Sequence, residues 1–219
     1  MNDAKIVALT QPLIDDGINK MSPNDFIAYC ARVSNPANQM NTETSEKLLK
    51  YCIRNKHFSV FEMFNITMMI TTTRDIARQI LRHRSFSFQE FSQRYADPIK
   101  DLGFITREAR LQDKKNRQNS IEVDDVRLGQ DWKGRQTYLL EIVKEQYNWA
   151  IQNGIAKEQA RVVLPEGLTL SRMYMNGTLR SWIHYCELRM SNGTQKEHQL
   201  IAESAWQDIG KYFTFLTKE

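Results

Sequence analysis

Phe64, Ile66, Met68 and Ile70 alternate with Asn65, Thr67, Met69 and Thr71, and no other stretch restricts the fold of this chain as much. Strict alternation puts each set on its own face of a β-strand. The period then changes at once. Ile76 with Ile80 and Ala77 with Leu81 recur at helical spacing, which predicts a helix over Thr72–Leu81 opened by a capping box of Thr72 and Asp75. A strand running straight into a helix fixes what stands at the helix end. Here that is Arg82-His83-Arg84, followed by Glu90, Ser92 and Arg94. Phe86, Phe88 and Phe91 mix with Ser85, Ser87 and Ser92 too irregularly for a helix or strand. Residues 85–93 therefore read as a loop on a rigid support, where binding groups are commonly carried.

The chemistry of 79–95 suits an anionic ligand. Arginine offers a planar fork of donors that matches phosphate or carboxylate oxygens and stays charged at any working pH. Serine hydroxyls and loop N–H groups reach the same oxygens. Glu90 suits a sugar hydroxyl or a neighbouring arginine. The residues alone leave a second reading open, a solvated basic turn whose phenylalanines enter a core. They also leave open a non-catalytic nucleotide- or RNA-binding protein built on the same arginines.

Composition narrows this. A chain of 219 residues, 41% hydrophobic and 26% charged, forms one large domain or two small ones with ample core. The net charge of +4 is modest and interleaved with acidic residues, so binding along nucleic acid is not expected. Cys30, Cys52 and Cys186 are widely spaced and give neither a disulfide framework nor a metal pattern, so reduced thiols in a cytoplasmic setting are expected. MNDAKIVALTQPL lacks the basic and apolar regions of a signal peptide, and no apolar run is long enough to span a bilayer. No Gly-x-Gly-x-x-Gly loop occurs, so a Rossmann dehydrogenase is unsupported.

In chain order, Lys5–Leu9 reads as a first strand. Ser22-Pro23 caps a helix whose face is Phe26, Ile27, Cys30 and Val33, and Arg32 reads as meeting that helix's C-terminal dipole. A second helix spans Thr44–Ile53. After Tyr95, a strand is predicted over Ile99–Phe104 and an exposed, partly helical excursion over 107–131. Trp132–Asn153 reads as an amphipathic helix with Leu139, Ile142, Val143 and Tyr147 on one side and Asn153-Gly154 as its stop. Pro165 ends a further helix, and Leu168–Asn176 reads as a strand. A helix over Thr178–Arg189 buries Trp182, Ile183 and Cys186, and a last helix runs over Gln195–Leu216 with Ile201, Ala205, Ile209, Phe213 and Leu216 at helical spacing.

Four of these elements resemble one family. Arg82-His83-Arg84 followed, after seven intervening residues, by Ser92, with the match extending through Gln79, Glu90, Arg94 and Tyr95, resembles the defining motif of the flavin-dependent thymidylate synthases, the ThyX family. KHFSVFEM (56–63) resembles the family's element before its long strand, AKEQARVVLPEG its Ala-Arg-x-x-Leu-Pro element, and TLRSWIHYCELR the helix whose final arginine holds the uracil ring. The resemblance implies an α/β (α+β) fold, a twisted mixed sheet flanked by helices, as a single domain over 1–219 with the charged excursion at about 107–131. It implies methylation of dUMP to dTMP, with methylenetetrahydrofolate giving the carbon and NADPH-reduced FAD the hydride. It further implies a homotetramer with shared active sites. Arg189 is the implied catalytic residue. His57, Ser59, Arg82, His83, Arg84, Glu90, Thr178, Arg180 and His184 are implied for FAD. Gln79, Arg82, Glu90, Phe91, Ser92, Gln93, Arg94, Arg161 and Arg189 are implied for dUMP. Thr178 and His184 stand where the family often has asparagine. Because Arg189 is far in sequence from the arginine cluster, nucleotide chemistry and flavin binding are expected to be divided between them.

Overall fold

Asn65–Thr73 forms the strand β2, and the alternation shows directly: Ile66, Met68 and Ile70 are buried. In this computed structural model, which describes residues 3–15 and 20–216, β2 is the second strand of a four-stranded sheet. It pairs along its whole length with β6 (Leu170–Thr178), from Asn65 opposite Thr178 to Thr73 opposite Leu170. β1 (Asp3–Leu9) lies on its other edge, and β3 (Ser87–Glu90) closes the order β1-β2-β6-β3. The expected class holds, but the sheet is not mixed: every pairing in it is antiparallel. The reason lies in the connection through α3 (Arg74–Ile80). It sends β3 in the same direction as β2, and β6 then inserts between them against both.

β3 corrects the expectation of a loop over 85–93. Phe88 and Glu90 are half-buried between exposed Ser87 and Gln89, and the strand forms on the free edge of backbone donors and acceptors that β6 offers. Phe86 enters the core where β6 has Gly177; a Cβ there would stand 2.4 Å from the Phe86 ring. The helix α3 starts two residues later than expected, with Thr73 as its first cap and the Thr73 hydroxyl donating to Asp75 at 2.6 Å. The pairing register of β2 with β6 carries the strand through Thr73 and overrides the Thr72 capping box.

Helices α1 (Pro23–Ala31) and α2 (Ser45–Arg54) follow β1, and Ser22 caps α1 by accepting from the Asp25 N–H. Ile27 faces the core as read, but Val33 lies beyond the helix end and is 70% exposed. Arg32 is buried at that end and donates to the Asn41 carbonyl and the Thr44 hydroxyl, a structural role. The predicted strand at Ile99–Phe104 is instead a helical turn, α4 (Pro98–Asp101). Pro98 at its first position and Asp97 accepting from the Ile99 and Lys100 N–H groups select it. Only Phe104 makes a β-bridge, to Thr169.

The charged excursion opens with a hairpin, β4 (Arg110–Gln112) and β5 (Ser120–Glu122). Asp113 turns it by accepting from the Lys115 and Asn116 N–H groups. The long helix α5 (Val126–Gln152) begins six residues before Trp132, capped by Asp125. Its inward stripe is Gln136, Leu140, Val143, Tyr147 and Ala150, so Leu139 and Ile142 are exposed in the single chain. After α6 (Lys157–Ala160) and β6, Thr178 caps α7 (Leu179–Arg189), which buries Trp182, Ile183 and Cys186. The last helix, α8 (Lys196–Gly210), stops before Phe213 and Leu216, and packs against β1 and α7.

Candidate active site

Arg189 and the arginine cluster meet. α7 brings its last residue beside the end of α3, and the Arg189 Nε donates to His83 Nε2 at 2.9 Å. The two motifs, far apart in sequence, are therefore neighbours in space. Helix α7 runs back from β6, whose neighbour β2 leads directly into α3, so the sheet closes the gap of 106 residues between them. His83 stands edge-on to Tyr185 at 4.9 Å, and also edge-on to Phe86 and His198. Phe86 in turn meets Trp182 edge-on at 4.9 Å. An aromatic wall thus holds the imidazole and, through it, the guanidinium.

His83 titrates at about 4, pushed down by burial and by the Arg189 charge beside it. Its ring is neutral at pH 7, as the accepted Arg189 bond requires. His198, 0% exposed, is lowered to about 3 by burial and then by Arg189. An unfolded histidine titrates near 6.5. Both rings therefore bind protons more readily unfolded, and the chain loses stability as the pH falls from about 6.5 toward 4. The expected slope is about 1.4 kcal/mol per pH unit for His198, with a further contribution from His83. Thermal midpoints between pH 7 and 4.5 check this; a midpoint that does not fall over that range contradicts it.

The other sequence-derived residues form separate groups. Arg180 pairs with Glu62, and both line a cavity of about 440 Å³ with Ser85, Ser181, His184 and Ile183. His57 and Ser59 are exposed where the chain enters the 3-10 turn Phe58–Met63. His57 follows Lys56, which takes a left-handed φ of 59°, and lies edge-on to Tyr51. The Thr178 hydroxyl accepts the Ser181 N–H as the α7 cap. Arg82 and Arg84 are exposed.

Glu90 is turned into the sheet, accepting from Ser171 at 2.7 Å and pairing with Arg74 at 3.4 Å. Beyond it Phe91 and Ser92 are half-buried, Gln93 is buried with its amide nitrogen unpartnered, and Arg94 stacks over Tyr95. Arg161 follows α6, whose Lys157 donates to the Tyr95 carbonyl. These residues share a neighbourhood, and no hydrogen bond or ion pair among the described residues joins Arg161, Ser92 or Arg94 to Arg189. Sequence reasoning missed Tyr185, Gln195, Glu197 and His198. His198 leaves a signal: it precedes Ile201, Ala202 and Ala205 at helical spacing, a polar ring on an apolar stripe.

The chain matches the model of the thymidylate synthase complementing protein family over residues 18–213. It belongs to that family. It is 47% identical over 215 residues to a probable flavin-dependent thymidylate synthase of Paramecium bursaria Chlorella virus 1, covering 98% of this chain and 97% of the relative. It is 48% identical over 212 residues to a flavin-dependent thymidylate synthase of Synechocystis, covering 96% and 95%. Its fold is similar to the UMP/dUMP methylase PolB of Streptomyces cacaoi, solved with 5-Br dUMP. The TM-score is 0.80 at 24% identity, over 99% of this chain and 93% of that one. Within the family's frame, the Arg189–His83 contact joins two of the motifs that carry the resemblance. No described helix is long and apolar enough to cross a membrane, and no group of metal-ligating side chains occurs among the described residues.

Proposed function

We propose that this chain is a flavin-dependent thymidylate synthase that methylates dUMP to dTMP, with methylenetetrahydrofolate as carbon donor, NADPH as reductant and FAD as its flavin. The observation that carries the reading is the Arg189 guanidinium held by neutral His83 of the Arg82-His83-Arg84 motif. A pinned cation of this kind stabilises negative charge as it develops on a uracil ring. The bound flavin supplies the hydride. The cavity beside Arg180 and His184, walled by Phe58 and Ile183 and lined by Ser85 and Ser181, suits a group with a flat apolar body and polar edges. Arg82 and Arg84, exposed nearby in sequence, suit its phosphates. Arg161, Ser92 and Arg94 are the proposed nucleotide-phosphate contacts.

Among the described residues no hydrogen bond or ion pair joins those contacts to Arg189, and sites shared between subunits of a homotetramer are the proposed arrangement. The apolar side chains that α5 leaves exposed, among them Trp132, Tyr138, Leu139 and Trp149, support an assembly that covers them. The proposed partners are small molecules, without nucleic acid or membrane, in the cytoplasm. A purified protein with a flavin spectrum and dUMP-dependent NADPH oxidation supports the reading. Colourless protein that binds RNA in a salt-sensitive manner overturns it.

Nucleophilic catalysis by a thiol has no support in the geometry. Burial pushes the Cys30 and Cys52 thiols up, and Cys186, wholly buried, is raised further. None is a ready thiolate. Among the described residues no base is hydrogen-bonded to Ser92; its oxygen accepts weakly from the Arg94 N–H at 3.4 Å. Cys30→Ser, Cys52→Ala and Cys186→Ala are each expected to keep dTMP formation within a few-fold. A folded, flavin-loaded single variant with no turnover contradicts this.

A further inference from the structure

A chain of hydrogen bonds runs from a carboxylate to Gln79, and its direction is forced at every link. Arg110 donates to Glu197 Oε1, and Gln195 Nε2 donates to Glu197 Oε2 at 3.0 Å. The Arg110–Glu197 pair is nearly buried, each side chain 11% exposed. Burial works against the Glu197 charge, but Arg110 and the neighbouring donors more than offset it, and the group is a carboxylate. A carboxylate only accepts. Gln195 must therefore turn its nitrogen toward Glu197 and its oxygen toward Gln79, whose Nε2 donates to it at 2.8 Å. That leaves the Gln79 oxygen facing His198 Nδ1 at 3.2 Å, so Nδ1 carries the proton. His198 Nε2 then accepts from the Tyr185 hydroxyl at 3.1 Å.

The Gln79 amide is thus gripped at both ends. One N–H and one oxygen lone pair of it remain for a ligand. An amide presented this way round offers a defined donor–acceptor pair, the pattern that reads the edge of a pyrimidine. Reversed, it offers acceptor where donor is needed. The His198 ring also meets the aromatic wall of Tyr185 and His83, the same wall that backs Arg189.

We infer that Glu197 and His198 are positioning residues of the nucleotide site: together they fix which way round the Gln79 amide faces the pyrimidine of dUMP. Neither touches the substrate. The inference rests on the proposed role of Gln79 as a dUMP contact. It goes beyond that role in giving two residues outside every motif of the chain a share in substrate recognition.

The test compares two substitutions of similar bulk and polarity in flavin-loaded enzyme. His198→Asn puts an amide nitrogen near the place of Nδ1 and keeps the bond to Gln79. His198→Gln extends toward the place of Nε2 and keeps only the bond to Tyr185. Dissociation constants for dUMP come from the flavin difference spectrum, beside kcat at saturating dUMP and the thermal midpoint. Expected are near-normal dUMP binding for His198→Asn and binding about tenfold weaker for His198→Gln, with kcat changed less than KM. Glu197→Gln, whose amide can accept or donate, is expected to weaken dUMP as His198→Gln does. Gln79→Ala measures the underlying role separately, and His198→Gln should add little to its loss. Equal dUMP affinity for the two His198 variants, or full additivity with Gln79→Ala, overturns the inference. Normal dUMP binding by Gln79→Ala overturns the role of Gln79 itself, and the inference with it.

Discussion

Arg189→Lys is expected to lower dTMP formation a hundredfold or more while flavin remains bound and reducible. Lysine keeps the charge but loses the planar fork that pairs with a ring edge, and loses the Nε–H now given to His83. Removing one preorganised charge-stabilising contact typically costs a hundred- to a thousandfold in turnover. Flavin is expected to persist because Arg82, Arg84 and Arg180 are untouched, although His83 loses one anchor. Arg189→Ala adds a second readout. The Arg189 charge helps hold down both His83 and His198, so their titrations are expected to rise when it is gone. Flavin content, NADPH oxidation and product are measured on one preparation. Loss of flavin together with activity makes Arg189 a cofactor ligand instead, and near-normal product removes it from the chemistry.

Trp182→Ala is expected to cost about 3–5 kcal/mol, the range for deleting a large buried aromatic. Trp182 is 0% exposed, and its Nε1 donates to the Ile66 carbonyl at 3.1 Å, tying α7 to β2. It also backs Phe86, which backs His83. For a chain of this size that loss lowers the melting point by roughly 6–20 °C. Trp182→Phe keeps most of the packing and loses the hydrogen bond, and about 1–2 kcal/mol is expected. Melting curves of the two variants decide. Equal midpoints contradict the account, because they leave the cavity without a cost.

Elements with a strong local period were legible in the sequence. β2 reads from Phe64–Thr71 and the buried side of α7 from Trp182, Ile183 and Cys186, because burial on one face writes itself into spacing. β3 was not legible. It exists through pairing with β6, 87 positions away where Phe88 lies opposite Met175, and a four-residue stretch does not report that partner. The strand expected at Ile99–Phe104 failed to a capping turn at Asp97-Pro98. Leu139 and Ile142 suggested the wrong face of α5 because that helix is apolar on more than one side. Of the site, the motifs supplied the residues and the fold supplied their partners. Arg189 with His83, and Gln79 with His198, are pairs separated by more than a hundred residues. Only tertiary structure brings such pairs together.

The most direct test of the proposed reaction is a single turnover. Flavin-loaded protein is reduced anaerobically by NADPH, the excess reductant is removed, and dUMP and methylenetetrahydrofolate are added. The expected result is one dTMP formed per flavin reoxidised, and the same stoichiometry when Cys30, Cys52 and Cys186 are each replaced. Formation of dTMP without flavin reoxidation, or flavin reoxidation without dTMP, contradicts it.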